Sequence, residues 1–285
     1  MNYGGIDAVC SFVDATFVVV PVPYDLTSTY QPGSRRGPAA ILEASANMEL
    51  YDEEMGKETY LAGIHTTAPL EVDARGPMEM VAAVRKAISH VLSFDKIPII
   101  LGGEHSISLG AVQATKEKYP RISVLQLDAH ADLRNGYQGS PYSHAAVARR
   151  IAEICPLVQC GIRSLSAEEA VFMKEGKVQT FFADDILAET ECRKKICKSL
   201  SEDLYVTIDL DVFDPALMPS TGTPEPGGLD WRDVLALLKE VFRRCRVRGV
   251  DVVELAPIPG LVAPDFLAAK LVYRLMGYLV AESFG

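Results

Sequence analysis

ISVLQLDAHAD, Ile122 to Asp132, decides the fold. Its first part is a largely apolar run without strict alternation, the pattern of a strand covered on both faces, as in a parallel sheet. Its last part puts Asp128, His130 and Asp132 at every second position, so three ligand-type side chains share one side of an extended segment. The same sequence of events recurs along the chain. IPIIL (Ile97–Leu101) runs into GGEHS and His105, LYVTI (Leu204–Ile208) runs into DLD with Asp209 and Asp211, and VRGVDVV (Val247–Val253) runs into Glu254. Further strands are expected at Phe17–Val22, Leu157–Gly161 and Val178–Phe182.

Helical spacing fills the intervals, over Gly37–Leu50 with Pro38 near its start, Met78–Leu92, Ile107–Tyr119, His144–Ile154 and Trp231–Phe242. Another helix is expected to start at Ser166, an N-cap with Glu169 three residues on, and the last to run from Pro264 towards Glu282. Strands alternating with helices imply right-handed βαβ crossovers. The expected fold is α/β, a parallel sheet of about seven or eight strands between helical layers. Functional residues of such sheets collect outside the carboxyl ends of the strands, where every cluster quoted above falls.

Composition narrows the function. The 285 residues are 48% hydrophobic, with no linker-like run or fixed-period repeat, so a single domain over 1–285 is expected. A net charge of -10 argues against nucleic acid and suits a small cationic substrate. The six cysteines, Cys10, Cys155, Cys160, Cys192, Cys197 and Cys245, are scattered without a CxxC pair and are expected to be reduced, partly buried thiols. Met1 to Phe17 carries Asp7 and Asp14 and no basic residue, unlike a secretory signal. No apolar run approaches the ~20 residues that span a bilayer. A cytoplasmic protein that meets neither membrane nor nucleic acid is expected.

His105, Asp128, His130, Asp132, Asp209 and Asp211 make four carboxylates and two imidazoles at one sheet edge. Without a cation such groups repel one another or stay unsatisfied. A single Asp after a strand is most often a helix N-cap, and a single His there a hydrogen-bonded structural residue; it is the convergence of the clusters that points to metal. Oxygen and imidazole donors without thiolate favour Mn²⁺ over a thiolate-held Zn²⁺. His65 and His90 lie outside any cluster and read as structural.

At these residues the chain resembles the ureohydrolase family of arginases and agmatinases. GGEHS (Gly102–Ser106), DAHAD (Asp128–Asp132) and TIDLDVFDPALMPSTGTPEPGG (Thr207–Gly228) are similar to its metal motifs, and YQPGSRRGPAAI (Tyr30–Ile41) and DVVEL extend the likeness over almost the whole chain. The resemblance implies an α/β/α sandwich around a parallel sheet of about eight strands. It implies two Mn²⁺ ions, one on His105, Asp128, Asp132 and Asp209, the other on Asp128, His130, Asp209 and Asp211, with Asp128 and Asp209 bridging. Two metals lower the pKa of a bridging water, and the hydroxide attacks a guanidinium carbon. By the same resemblance Asp132 relays a proton, Glu254 pairs with the guanidinium, and His144, in YSHAAVARR, shuttles a proton to the leaving amine. The family forms trimers or hexamers, so a homo-oligomer is implied.

The loop after DAHAD, LRNGYQGSPYSH, is similar to the agmatinase segment and implies hydrolysis of agmatine to putrescine and urea. LAPIPGLVAPD after Glu254 departs from the family pattern, which leaves guanidinobutyrate, guanidinopropionate or arginine as alternative substrates. A metal-dependent deacetylase would need only one Zn²⁺ and fewer ligands. A regulator that had lost catalysis would be expected to lack ligands, and here the full set is present.

Overall fold

The computed structural model describes residues 1–188 and 190–282. Its strands are β1 (Phe17–Val22), β2 (Tyr51–Asp52), β3 (Lys57–Glu58), β4 (Ile64–Thr66), β5 (Ile97–Gly102), β6 (Ser123–Leu127), β7 (Leu157–Ile162), β8 (Val178–Phe182), β9 (Asp203–Asp209) and β10 (Arg246–Val253). Eight of them form one sheet in the order β4-β1-β5-β10-β9-β6-β7-β8, and every neighbouring pair in it is parallel. The helices are α1 (Gly37–Ser45), α2 (Pro77–Ser93), α3 (Ser108–Lys118), α4 (Val147–Ala152), α5 (Ala167–Met173), α6 (Ala183–Ala188), α7 (Thr190–Ser199), α8 (Trp231–Phe242) and α9 (Ala263–Glu282).

Successive strand side chains point to opposite faces, and here both faces are apolar. Phe17, Val19, Ile99, Leu101, Leu125 and Leu127 pack with α1, α8 and α9. Val18, Val20, Ile100 and Val124, from the same strands, pack with α2, α3 and α4. Two cores on either side of one sheet make the three-layer sandwich. Local signals fix element starts: Ser166 and Glu169 form a reciprocal capping box on α5, and Asp230 and Asp233 do the same on α8.

The fold agrees with the expected α/β sandwich and differs in detail. The eighth strand, β4, is a short edge strand that the apolar pattern does not announce. The helix expected over 37–50 stops at Ser45, and the chain then turns into the β2–β3 hairpin. The helices expected from Ile107 and His144 each begin with a 3-10 turn, over His105–Ile107 and His144–Ala146. Helices α6 and α7 were not expected. Among the described residues the cysteines form no disulfide, and all but Cys10 are buried. His65 Nδ1 donates to the Cys10 carbonyl at 2.9 Å, and His90 stacks on Phe12, as structural residues would. Among the described residues no helix is long and apolar enough to cross a membrane.

Candidate metal centre

The carboxyl ends of β5, β6, β9 and β10 lie side by side in the middle of the sheet, and the loops leaving them converge. Gly103 makes this approach possible: a Cβ there would lie 2.0 Å from the Tyr24 carbonyl oxygen. Its amide donates to the Val22 carbonyl and its carbonyl accepts from the Glu254 amide, which ties the exits of β1, β5 and β10 together.

His105 sits at the centre, 1% exposed. Its Nδ1 lies 3.0 Å from Asp128 Oδ2, 3.3 Å from Asp132 Oδ2 and 3.4 Å from Asp209 Oδ2. On its far side Nε2 is 2.8 Å from Thr207 Oγ1. Thr207 spends its own proton on Asp251 Oδ1 at 2.5 Å, while Tyr205 donates to Asp251 Oδ2 at 2.7 Å. Thr207 therefore accepts from His105, which assigns the imidazole proton to Nε2 and turns the Nδ1 lone pair towards the carboxylates. That nitrogen has no hydrogen-bond partner. A lone pair facing three buried carboxylates needs a shared cation or an added proton. This is the arrangement that a metal-ligating histidine with an outer hydrogen bond presents.

A second group adjoins the first. His130 Nδ1 is 2.8 Å from Asp211 Oδ2 and 3.8 Å from Asp128 Oδ1. Donor atoms of His105, Asp128 and Asp132 fall within 4.8 Å of one another, as do those of Asp128, His130 and Asp211. Asp128 belongs to both groups. Gln126 Nε2 donates to Asp128 Oδ2 at 2.7 Å and is itself held by Gln159, which accepts from Thr180, so a polar chain crosses three adjacent strands to orient this carboxylate. Asp209 Oδ1 accepts from the Asp211 amide at 2.9 Å, and Asp211 Oδ1 from the Ala129 amide at 2.9 Å.

The charges are mutually perturbing. Burial, then the charges of Asp211 and Asp132, push the Asp128 carboxyl up to about 7. Burial raises Asp209 as well, with Asp211 and Asp128 adding to it. Burial opposes charging His130, but Asp211, Asp128 and Asp132 carry its imidazole up to about 11. Burial works against Asp211 too, yet the His130 ion pair lowers it to about 2. Protons thus do in this cluster what a divalent cation would do, and metal binding would displace them. The donor set fits two hard or borderline cations.

Above the cluster is a cleft of about 220 Å³, with His130, Asp132, His144, Asp209, Glu254 and Tyr137 in its wall. Glu254 Oε1 accepts from the His105 amide at 2.7 Å. Burial, followed by the charge of Glu104, raises its carboxyl well above the ordinary value. Asp132 and Glu254 have φ of 51° and 66°. Left-handed backbone costs such a residue about 1 kcal/mol or more and gathers at functional sites. Burial lowers the His144 imidazole below its ordinary value, opposed by Asp132 and aided by His105 and His130.

The structure therefore gathers all eight residues singled out in the sequence. His105, Asp128 and Asp211 belong to the two donor groups without lining the cleft; His130, Asp132, Asp209, His144 and Glu254 reach its wall. Thr207, Tyr205 and Asp251 were missed. The signal was present, since Asp251 and Thr207 are polar residues inside otherwise apolar strand runs. Arg163 was also missed: its guanidinium donates to the carbonyls of Asp211, Gly161 and Glu225, bracing the long signature loop.

Fold and donor set define a class: α/β proteins with a carboxylate–imidazole centre at the carboxyl edge of a parallel sheet. The model of the arginase family matches residues 15–277, and the chain belongs to that family of ureohydrolases. It is 39% identical over 280 residues to the N(1)-aminopropylagmatine ureohydrolase of Synechocystis, covering 95% of this chain and 92% of that one. It is 41% identical over 267 residues to the protein of the same name from Thermus thermophilus, covering 93% and 91%. Among solved structures, the agmatine ureohydrolase of Thermoplasma volcanium superimposes with a TM-score of 0.90 at 32% identity, over 100% of this chain and 96% of that one.

Proposed function

We propose that this protein hydrolyses the terminal guanidinium of a linear polyamine guanidine, N(1)-aminopropylagmatine or agmatine, to urea and the free amine, with two Mn²⁺ ions. The observation that carries the proposal is the half-buried Glu254 carboxyl, standing in the cleft wall beside the His105–Asp128–Asp132 group. The relatives at 39% and 41% identity are named for the aminopropyl compound and favour it. The loop from Leu133 to His144 favours agmatine as the second reading.

His105, Asp128, Asp132 and Asp209 would hold one cation, and Asp128, His130, Asp209 and Asp211 the other. When bound, such a pair supplies hydroxide at neutral pH. Glu254 receives the planar guanidinium through parallel N–H···O bonds and fixes its carbon over the cluster. Burial strengthens this pairing by excluding water. Asp132 accepts a proton in the cleft, and His144 delivers one to the departing amine as the C–N bond breaks. In this reading the protein is cytoplasmic and assembles as a homo-oligomer.

The test is urea release by the Mn²⁺-loaded protein from N(1)-aminopropylagmatine, agmatine, arginine and 4-guanidinobutyrate, ranked by kcat/KM. A preference for either polyamine supports the proposal and separates its two readings. A preference for the carboxylate-bearing compounds overturns the substrate class and directs attention to Arg134, which lies in the cleft wall stacked over Tyr137. No urea from any compound overturns the reaction.

A further inference from the structure

His144 contacts a group outside the metal cluster. Its Nδ1 lies 3.2 Å from Thr27 Oγ1, and its backbone amide donates to the same oxygen at 3.0 Å. Thr27 is in the loop that follows β1, far from His144 in sequence. Its hydroxyl donates to Glu104 Oε1 at 2.6 Å, and its amide donates to Glu104 Oε2 at 2.6 Å. Ser106 Oγ adds a third donor to Glu104 Oε1 at 2.6 Å. Glu104 is fully buried, the residue between Gly103 and His105 in the turn after β5.

An amide N–H can only donate, so Glu104 Oε2 accepts from Thr27; with Glu104 ionised, its Oε1 accepts from the hydroxyls of Thr27 and Ser106. The Thr27 proton then points at Glu104, and both Thr27 lone pairs point at His144. One receives the His144 amide. The other can only receive a proton from Nδ1. A neutral imidazole carries a single N–H, so Nε2 is left bare. Ser143 Oγ, at 3.4 Å, is the competing neighbour of Nδ1. Its hydroxyl can rotate to donate or accept, so it does not select a tautomer. Thr27, with its proton committed, does.

We propose that Thr27, backed by Glu104, is a positioning residue that holds His144 as the Nδ1–H tautomer and leaves Nε2 as the atom that exchanges protons in the cleft. The inference rests on the role given to His144 in the proposed function, and adds to it the device that orients the ring. Thr27 touches neither substrate nor metal ligand in this account; it acts through His144. A proton shuttle held in the wrong tautomer has the correct location and the wrong nitrogen loaded, and general acid–base catalysis contributes about 10²- to 10⁴-fold when correctly arranged.

Two measurements on the intact, metal-loaded chain test this. The first needs no turnover. Long-range ¹H–¹⁵N NMR with Mg²⁺ as a diamagnetic cation reads the tautomer of each of the five histidines, with His144→Ala identifying the resonance. Nδ1–H at His144 in the native protein and in Thr27→Ser is expected, with a mixture in Thr27→Val. Nε2–H in the native protein would overturn the proposal. The second is kinetic. Thr27→Val, which keeps the side-chain shape, is expected to lower kcat about tenfold or more with KM and bound metal unchanged, while Thr27→Ser restores it. In a His144→Ala background the Thr27→Val penalty should vanish, since the two act as a unit. A native kcat in Thr27→Val, or a penalty that persists without His144, would refute the coupling. Should the native enzyme release no urea, the functional reading fails while the NMR result still decides the positioning claim.

Discussion

Thr207→Val removes the hydroxyl that receives the His105 Nε2–H and leaves the size of the side chain nearly unchanged. Thr207 is fully buried, so no water can take its place. In the metal-free variant the imidazole has an escape: it can move its proton to Nδ1, where the carboxylates of Asp128, Asp132 and Asp209 wait at 3.0–3.4 Å. Binding a cation at Nδ1 closes that escape and forces an unpaired N–H into the core. A buried donor without a partner costs about 1–3 kcal/mol, and this cost falls on the metal equilibrium rather than on folding. The expected outcome is Mn²⁺ binding weakened about 5- to 150-fold, a span that contains the roughly 10- to 100-fold seen when outer partners of metal-ligating histidines are lost. The midpoint for thermal unfolding of the metal-free chain should fall separately, because buried Asp251 Oδ1 loses the proton that Thr207 donates to it. Chelator-competition titration gives the affinity and calorimetry gives the midpoint, with Thr207→Ser as the restoring variant. An affinity within twofold of the native protein would show that the Thr207 hydroxyl does not set the His105 tautomer.

Other substitutions probe other parts of the site. Asp128→Ala removes the carboxylate shared by both donor groups, so bound metal and urea release should fall together; stoichiometric metal in the purified variant, measured by plasma mass spectrometry, would contradict the assignment. Glu254→Gln keeps the acceptor for the His105 amide but cancels the charge that, in the proposed function, meets the guanidinium. Losing a buried charge partner costs about 2 kcal/mol or more, so kcat/KM should drop about 30-fold or more with metal content intact, and an unchanged kcat/KM would place the guanidinium elsewhere. Gly103→Ala would drive a Cβ to within 2.0 Å of the Tyr24 carbonyl oxygen; a lowered unfolding midpoint together with weakened metal binding is expected, and a variant that matches the native protein in both would mean the turn can shift without disturbing His105.

What the sequence announced and what it concealed follow one physical division. The central strands are legible because burial on both faces demands continuous apolar runs, and the candidate ligands because polar residues follow several such runs at once, a convergence that a helix cap or a lone structural histidine does not explain. Strand β4 has three residues at the sheet edge, and only Ile64 among them is buried, too little for a periodic signal. Helix α7 reads as the polar stretch TECRKKICKS. Its inward face consists of Cys192, Ile196 and Cys197, so cysteines do the work of aliphatic residues there and the apolar spacing goes unnoticed. The outer partners of the site are harder still. Thr27 and Glu104 meet His144 only through the folded loops after β1, β5 and β6, and nothing in the local pattern of any of the three segments foretells the meeting.

The candidate ligands come from positions 105, 128 to 132 and 209 to 211, with Glu254 beyond them. No contiguous fragment of the chain therefore carries the centre. It exists only once β5, β6, β9 and β10 lie side by side, and pairings between such distant segments are the slow ones in folding. A cation held there would fasten together segments that the backbone joins only through long excursions. Ligand that binds only the assembled form stabilises it by mass action, so the metal that serves the chemistry would also act as the chain's last fastening, and chelation would be expected to loosen the middle of the sheet before its rim.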